Sequence, residues 1–456
     1  MAKHASSIFL IALFFGIVWV VQAYFQSPKL FPFAPLNQKP GEFDFGAVSN
    51  DIESHYIESA KQDLLDSRKS FVEANLSDMT LSVYKEGTII LTVPIKSKGR
   101  DGSWWETPTG VYTFKTKEEN HFSSLGHVYM PWSMAFQGNF FVHGWPYYPG
   151  GIPVETTYSG GCIRLTSEDA QKVYELVGVG DPIVVSNQAL YADDTDYVLA
   201  NSTVTAEGYL VGDLKNNFIF SNKEKDTLFP VLSITKLLTA VVSAEYANIE
   251  TSLMAPGTIE SISTPIPRLK AGVSYSIYDL LFPLLQESSN QSAVLIATYP
   301  STKTFIARMD EKAKAIGMRD AKFVDPGGVS LENVATPTDL FRLSQYLYSN
   351  RQFILKMTAG TAETKIYGEP QFKNLENYNL FTDDETFVGG IVGKSLGQGL
   401  NSGLFIFELP FGNTKRPVAI VLLDSEDLSS DAKALIRQAR EFYSLNALKI
   451  AEKKEQ

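Results

Sequence analysis

Cysteine is almost absent. Cys162 is the single one in 456 residues, and histidine occurs five times. One thiol cannot close a disulfide within the chain, and so few soft ligands cannot build a Cys-rich metal site. An excess of positive charge is missing as well: the net charge of −11 argues against nucleic acid as the main partner. No repeat of fixed period occurs, and low-complexity sequence is confined to short linkers. What is present is ordinary globular material, 44% hydrophobic and 20% charged, in a length that suits two domains.

The amino terminus is different. Lys3 precedes an uncharged, mostly apolar run from Ile8 to Phe25, just long enough to span a bilayer as a helix with the positive charge left inside. Residues 1–25 are therefore expected to form a membrane anchor. The competing expectation is a signal peptide cleaved after Val21-Gln22-Ala23, which would leave a secreted protein. Either way the remainder is exported to the cell envelope, with its domains outside the cytoplasm, and no cysteine follows the run to carry a lipid. Pro28, Pro32, Pro35 and Pro40 predict an extended stalk, and the rest of 26–76 takes no assigned role.

From Leu81 the pattern turns to strands: "LSVYKEG" and "TIILTVPI" read as a hairpin about a Glu-Gly turn, followed by "TPTGVYTF" and "NFFVHG". A short helix is expected over Ser167–Val177 with Ser167 as its cap, and "GDPIVVS" as a closing strand. A polar bridge over 188–199 leads into a second domain at 200–450. There "GYLVGDLKNNFIFS" reads as a hairpin, and Ile234, Leu237, Leu238, Val241 and Val242 mark an amphipathic helix. Helical sequence continues to about 350, then strands near "FVGGIVGKSL", "GLFIFEL" and "PVAIVLLD". A last helix carries Ala432, Leu435, Ile436, Ala439 and Phe442 on one face. Helices between early and late strands predict one sheet completed from both ends of the domain.

Cys162 lies in "VHGWPYYPGGIPVETTYSGGCIRL". Cysteine attacks as a thiolate and needs a base or positive potential nearby. Gly160 and Gly161 let the backbone turn tightly there, and His143 is the candidate base; an inert, buried thiol is the alternative. The "HGW" and "YSGGCIRL" segments, with "TPTG" upstream and "MPWSMAF" between, closely resemble the L,D-transpeptidase catalytic domain over about 77–187. The resemblance implies a mainly-β domain in which Cys162 attacks a peptidoglycan tetrapeptide stem between its third residue and D-Ala. D-Ala leaves, and an amine from another stem resolves the thioester. It further implies His143 as base, backbone amides of Gly161 and Cys162 toward the oxyanion, and Ser159 and Arg164 shaping the site or orienting His143. Many members have His directly before the Gly-Cys pair; Gly160 stands there here, one ring fewer to hold substrate. His121 and His127 are expected to be ordinary polar residues, and Trp145–Tyr148 a stem-binding wall, a lid or core.

Ser233 and Lys236 stand three apart in "FPVLSITKLLTA", on adjoining faces of one helical turn. A desolvated lysine can lose its proton and serve a serine as base. Alone, the pair could equally be a solvated helix edge. With Ser288-Ser289-Asn290 and "FVDPGGVSLENVATPTDLFRLSQYL", the segment 200–445 looks like the D-alanyl-D-alanine carboxypeptidases, serine enzymes of the penicillin-binding class. This implies an α/β, β-lactamase-like domain with an antiparallel sheet and a helical subdomain. Ser233 would form the acyl-enzyme, Lys236 move the proton, Ser288 and Asn290 line the opposite wall, and Lys394 and Ser395 grip the terminal carboxylate. β-Lactams are the implied covalent inhibitors; no cofactor or metal is implied. Leu396 stands where the family has Gly, and strand alternation would bring it into the cleft with Lys394 unless a bulge gives the place to Gly397. The expected protein is thus a multidomain, two-nucleophile enzyme of peptidoglycan stem peptides. Its alternatives are an L,D-transpeptidase with a stem-binding second domain, and a non-enzymatic envelope scaffold.

Overall fold

A computed structural model describes residues 55–156, 158–187, 204–215, 217–364, 367–395, 399–411 and 414–454. The expected anchor, stalk and bridge, and Leu396 with Gly397, lie outside the described residues. Among those described, no helix is long and apolar enough to cross a membrane.

The first domain begins with helix α1 (His55–Asp66) and strand β1 (Phe71–Asn75), inside the stretch left without a role. β1 pairs antiparallel with β2 (Thr80–Lys85), which pairs with β3 (Thr88–Pro94) about a turn at Glu86 and Gly87, both with positive φ. Such a two-residue turn matches the twist of its strands. Four of the five β1 residues are buried: Phe71 stacks on Tyr84 on the α1 side, while Val72 and Ala74 enter the main core. A strand covered on both faces has no alternation to read, so the sheet starts earlier than residue 77. β4 (Gly110–Thr113), β5 (Thr116–Ser123), β6 (Val128–Gln137), β7 (Phe140–His143) and β8 (Ile163–Arg164) follow, then α2 (Ser167–Leu176) and β9 (Pro182–Ser186). They form two sheets, ordered β3-β2-β1-β9-β4 and β5-β6-β7-β8. β9 is not an edge; it lies between β1, parallel, and β4. The cap of α2 is Thr166, whose Oγ1 accepts the Asp169 amide at 3.1 Å, one residue before the expected Ser167.

The second domain runs β10 (Gly208–Asp213), β11 (Phe218–Lys223), α3 (Thr235–Tyr246), α4 (Ile277–Gln286), α5 (Asn290–Ala297), α6 (Thr302–Ala315), α7 (Pro337–Asn350), α8 (Gln352–Ala359), β12 (Phe387–Lys394), β13 (Asn401–Phe411), β14 (Thr414–Leu423) and α9 (Leu428–Lys454). The antiparallel sheet β11-β10-β14-β13-β12 is closed from both ends, as expected. Helices α3 to α8 pack on one face, and α9 covers the other with Ala432, Leu435, Ile436, Ala439 and Phe442, all buried.

The two domains share a buried interface. Trp104, from the first, sits in the core of the second, stacked on Phe353 at 3.7 Å between ring centres. Beside it lies a fully buried ionic cluster. Glu245 pairs with Lys312 at 2.9 Å and with Arg351 at 3.0 Å, and none of the three side chains has any exposure. Gln137 Nε2 of the first domain donates to Glu245 Oε2 at 2.9 Å, and Lys312 Nζ to Tyr112 Oη at 3.1 Å. Burial pushes Glu245 upward, but Lys312 and Arg351 outweigh it and hold the carboxyl below its ordinary range.

Candidate active sites

The serine site is assembled at the start of α3. A single 3₁₀ turn, Leu232–Ile234, delivers Ser233, with Leu232 held in the left-handed region at φ +50°, a conformation a branched side chain adopts under constraint. One turn on, Lys236 Nζ stands 3.0 Å from Ser233 Oγ and donates to the Gly327 carbonyl at 2.6 Å. Burial lowers its ammonium to about 7, against the pull of Asp325, so near neutral pH the amine is available as a base. Ser288, also left-handed at φ +54°, donates its hydroxyl to Ser233 Oγ at 2.8 Å. The three groups are therefore brought together, from two segments of the chain. Asn290 opens α5 on the same side; its Nδ2 donates to the Ser263 carbonyl at 2.9 Å.

Three residues that sequence reasoning passed over build this site. Asp325 accepts the amides of Gly327, Gly328, Val329 and Ser330, shaping the "DPGG" turn whose carbonyl holds Lys236. Asn333 ties that turn to α3 through Thr235 Oγ1 at 3.1 Å. Gly393 marks where β12 passes Ser233: a Cβ there would stand 2.9 Å from the Ser233 amide. Lys394 closes β12 with an exposed side chain, and the Ser395 amide bonds to the Leu400 carbonyl at 3.0 Å.

The cysteine site follows from one parallel pairing. β7 and β8 align His143 with Arg164 and Val142 with Ile163, so Cys162, just before β8, falls on the same face as His143 and Arg164. All three are buried. His143 Nδ1 lies 2.6 Å from the Gly144 carbonyl; a carbonyl can only accept, so Nδ1 carries the proton and Nε2 keeps its lone pair. Burial drives this imidazole down to about 3, with the Arg164 charge acting the same way. Burial likewise pushes the Cys162 thiol up to about 11, partly offset by the Phe141 amide and Arg164. At rest the thiol and the imidazole are therefore both neutral near pH 7.

The surrounding turn is tightly specified. Ser159 Oγ donates to the Cys162 carbonyl and accepts the Gly161 amide at 3.1 Å, so the Gly161 N–H expected at the oxyanion is engaged within the turn. Arg164 Nη1 donates to the Thr156 and Tyr158 carbonyls at 3.3 and 3.2 Å, pinning the end of the segment that carries Trp145 to Tyr148. Trp145 Nε1 donates to the Val154 carbonyl at 2.9 Å, Tyr147 stacks on Tyr129, and Tyr148 is exposed: the aromatics form a surface flap rather than core. His121 pairs with Glu118 at 3.0 Å, and His127 edges against Phe122. Gly161 has φ +100°, and a Cβ on it would fall 2.2 Å from the Phe140 ring. Gly161→Ala is expected to cut acylation of Cys162 by a tetrapeptide donor at least ~100-fold, given the sensitivity of reacting geometry to small displacements. Penicillin acylation of Ser233 should not change; mass spectrometry of the intact protein reads both.

Residues 69–185 match the family of the L,D-transpeptidase catalytic domain, and residues 195–391 that of the D-alanyl-D-alanine carboxypeptidases. Among curated proteins, the chain is 30% identical over 200 residues to a D-alanyl-D-alanine endopeptidase of Haemophilus influenzae, covering 42% of this chain and 67% of that protein. It is 32% identical over 186 residues to a protein of the same name from Pseudomonas aeruginosa, covering 39% and 59% respectively. It is also 24% identical over 135 residues to L,D-transpeptidase 5 of Mycobacterium tuberculosis, covering 28% and 30%. The chain thus spans about two thirds of the first relative and less of the others.

Proposed function

Because the chain belongs to the D-alanyl-D-alanine carboxypeptidase family and carries an L,D-transpeptidase catalytic domain ahead of that region, we propose that it is a two-nucleophile enzyme of bacterial peptidoglycan stem peptides, working in the cell envelope. The observation that carries the reading is the trio Ser233, Lys236 and Ser288, within 3.0 Å of one another through Ser233 Oγ, in a chain that also buries a Cys–His pair on a separate sheet face.

In the serine domain, Ser233 Oγ attacks the carbonyl between two D-Ala residues while its proton passes to Lys236 Nζ. The C–N bond breaks, Ser288 relays the proton to the departing amine, and water releases the acyl group. In the cysteine domain, Cys162 Sγ attacks the carbonyl that precedes D-Ala in a tetrapeptide. Its proton goes to His143 Nε2 and then to the amine of the departing D-Ala, and the amine of another stem displaces the thiol. The first reaction makes the donor of the second, and one chain raises the local concentration of trimmed stems.

A second reading of the serine domain is favoured by one observation: the curated relatives that span it are named endopeptidases. It would then cut a D-alanyl bond inside a cross-link. Residues 26–456, incubated with a pentapeptide-bearing disaccharide and with a cross-linked dimer and followed by mass spectrometry, separate the readings. Loss of one D-Ala from the monomer supports trimming, and dimer splitting supports endopeptidase action. Neither, with tetrapeptides still cross-linked, leaves the second domain as a stem-binding module.

A further inference from the structure

Next to the segment that carries Cys162 lies a cavity lined by residues of both domains. It has a volume of about 80 Å³ and opens beside Gly160 and Asn139, and the Asn139 carbonyl is the one that lies 3.7 Å from Cys162 Sγ. Trp105 lines the near side; Ala247, Ile249 and Tyr367, all from the second domain, line the far side. The arrangement is held in place. The Asn139 amide donates to the Glu245 carbonyl at 3.4 Å, and Tyr246 Oη donates to Gln137 Oε1 at 3.2 Å, so the β6–β7 turn beside the thiol rests on the last residues of α3.

We propose that this cavity is a subsite of the cysteine reaction that receives an alanyl-sized group of the stem peptide, and that the second domain thereby sets part of the specificity of the first. The proposal rests on the reading of Cys162 as an acyl-forming nucleophile. Its lining selects the occupant. One water needs roughly 10–15 Å³ by this measure, so the space of about 80 Å³ holds an alanyl unit. The lining is mostly carbon, and although Glu245 is among the lining residues, its side chain has no exposure and is already committed to Lys312 and Arg351. A charged group therefore has no partner waiting there, whereas burial of a methyl is favourable.

Ala247 and Ala244 are half-buried, so a larger side chain at either can grow into the cavity. In the full chain, Ala247→Leu is expected to lower the rate of Cys162 acylation by a tetrapeptide ending in D-Ala at least tenfold. Alkylation of Cys162 by iodoacetamide, which needs no subsite, and penicillin acylation of Ser233 should be unchanged; Ala244→Val serves as the second variant should the first misfold. Wild-type donor acylation in a folded variant would overturn the proposal. If the wild-type protein forms no tetrapeptide adduct, the nucleophile reading fails on its own. The subsite is then judged by calorimetric binding of the same peptide to Cys162→Ala with and without Ala247→Leu: weaker binding in the double variant supports it, and equal or absent binding overturns it.

Discussion

Lys236→Met is expected to slow penicillin acylation of Ser233 by roughly 10²–10⁴-fold, the range over which a positioned base contributes. Methionine keeps the length and apolar stem of the side chain, and the site is fully buried, so the packing of α3 survives while the amine is lost. The pH dependence gives the assignment its sign. Burial lowers the Lys236 ammonium to about 7, so the neutral, proton-accepting form disappears as pH falls through that value and dominates above it. The wild-type acylation rate should climb through about pH 7 to a plateau, and the Met variant should stay low and flat across the same range. Stopped-flow acylation with a chromogenic penicillin measures both. A variant within threefold of wild type, or a wild-type profile with no inflection near neutrality, would remove Lys236 from the role of base.

The second large effect is on stability. Glu245→Ala should destabilise the protein by about 3–5 kcal/mol, because removing one member of a buried ion pair strands the other in a dry interior. Here two cations, Lys312 and Arg351, would be stranded, both without exposure. The loss falls on the interface as well, since Gln137 of the first domain donates to the Glu245 carboxylate. Urea unfolding should shift to a lower midpoint and separate into two transitions as the domains cease to support one another. An unchanged midpoint would mean that the cluster contributes nothing net. Replacing Glu245, Lys312 and Arg351 together by apolar residues should restore much of the loss, since no charge is then left unpaired.

The contrast between these two sites explains what the sequence makes legible. Ser233 and Lys236 are a local pattern, one helical turn, and Ser288 and the "DPGG" turn follow as recognisable segments. The strands β2 and β3 announce themselves by runs rich in β-branched and apolar residues about a Glu-Gly turn. Glu245 and Lys312 sit on two different helices and Arg351 at the break between α7 and α8, where single charges ordinarily face solvent; nothing in periodicity says that they converge. Trp104 is equally silent, because a tryptophan beside a β-rich run gives no hint that its ring completes another domain's core. β1 was hidden for the opposite reason, being buried on both faces. Gly393 carries no chemistry of its own, and its importance lies in the side chain it lacks.

Helix α3 has a consequence that neither active site shows alone. Its first turn positions Lys236 against Ser233, and its final residues carry Glu245 and Tyr246 to the turn beside Cys162. At 1.5 Å of rise and about 100° of rotation per residue, adding or deleting one residue in its middle would leave the serine end intact. It would also swing Glu245 away from Lys312, Arg351 and Gln137. The number of residues between Lys236 and Glu245 is thus a shared dimension of the two candidate sites, a gauge block machined to both, and it ties the lengths that evolution can try in one domain to the survival of the other.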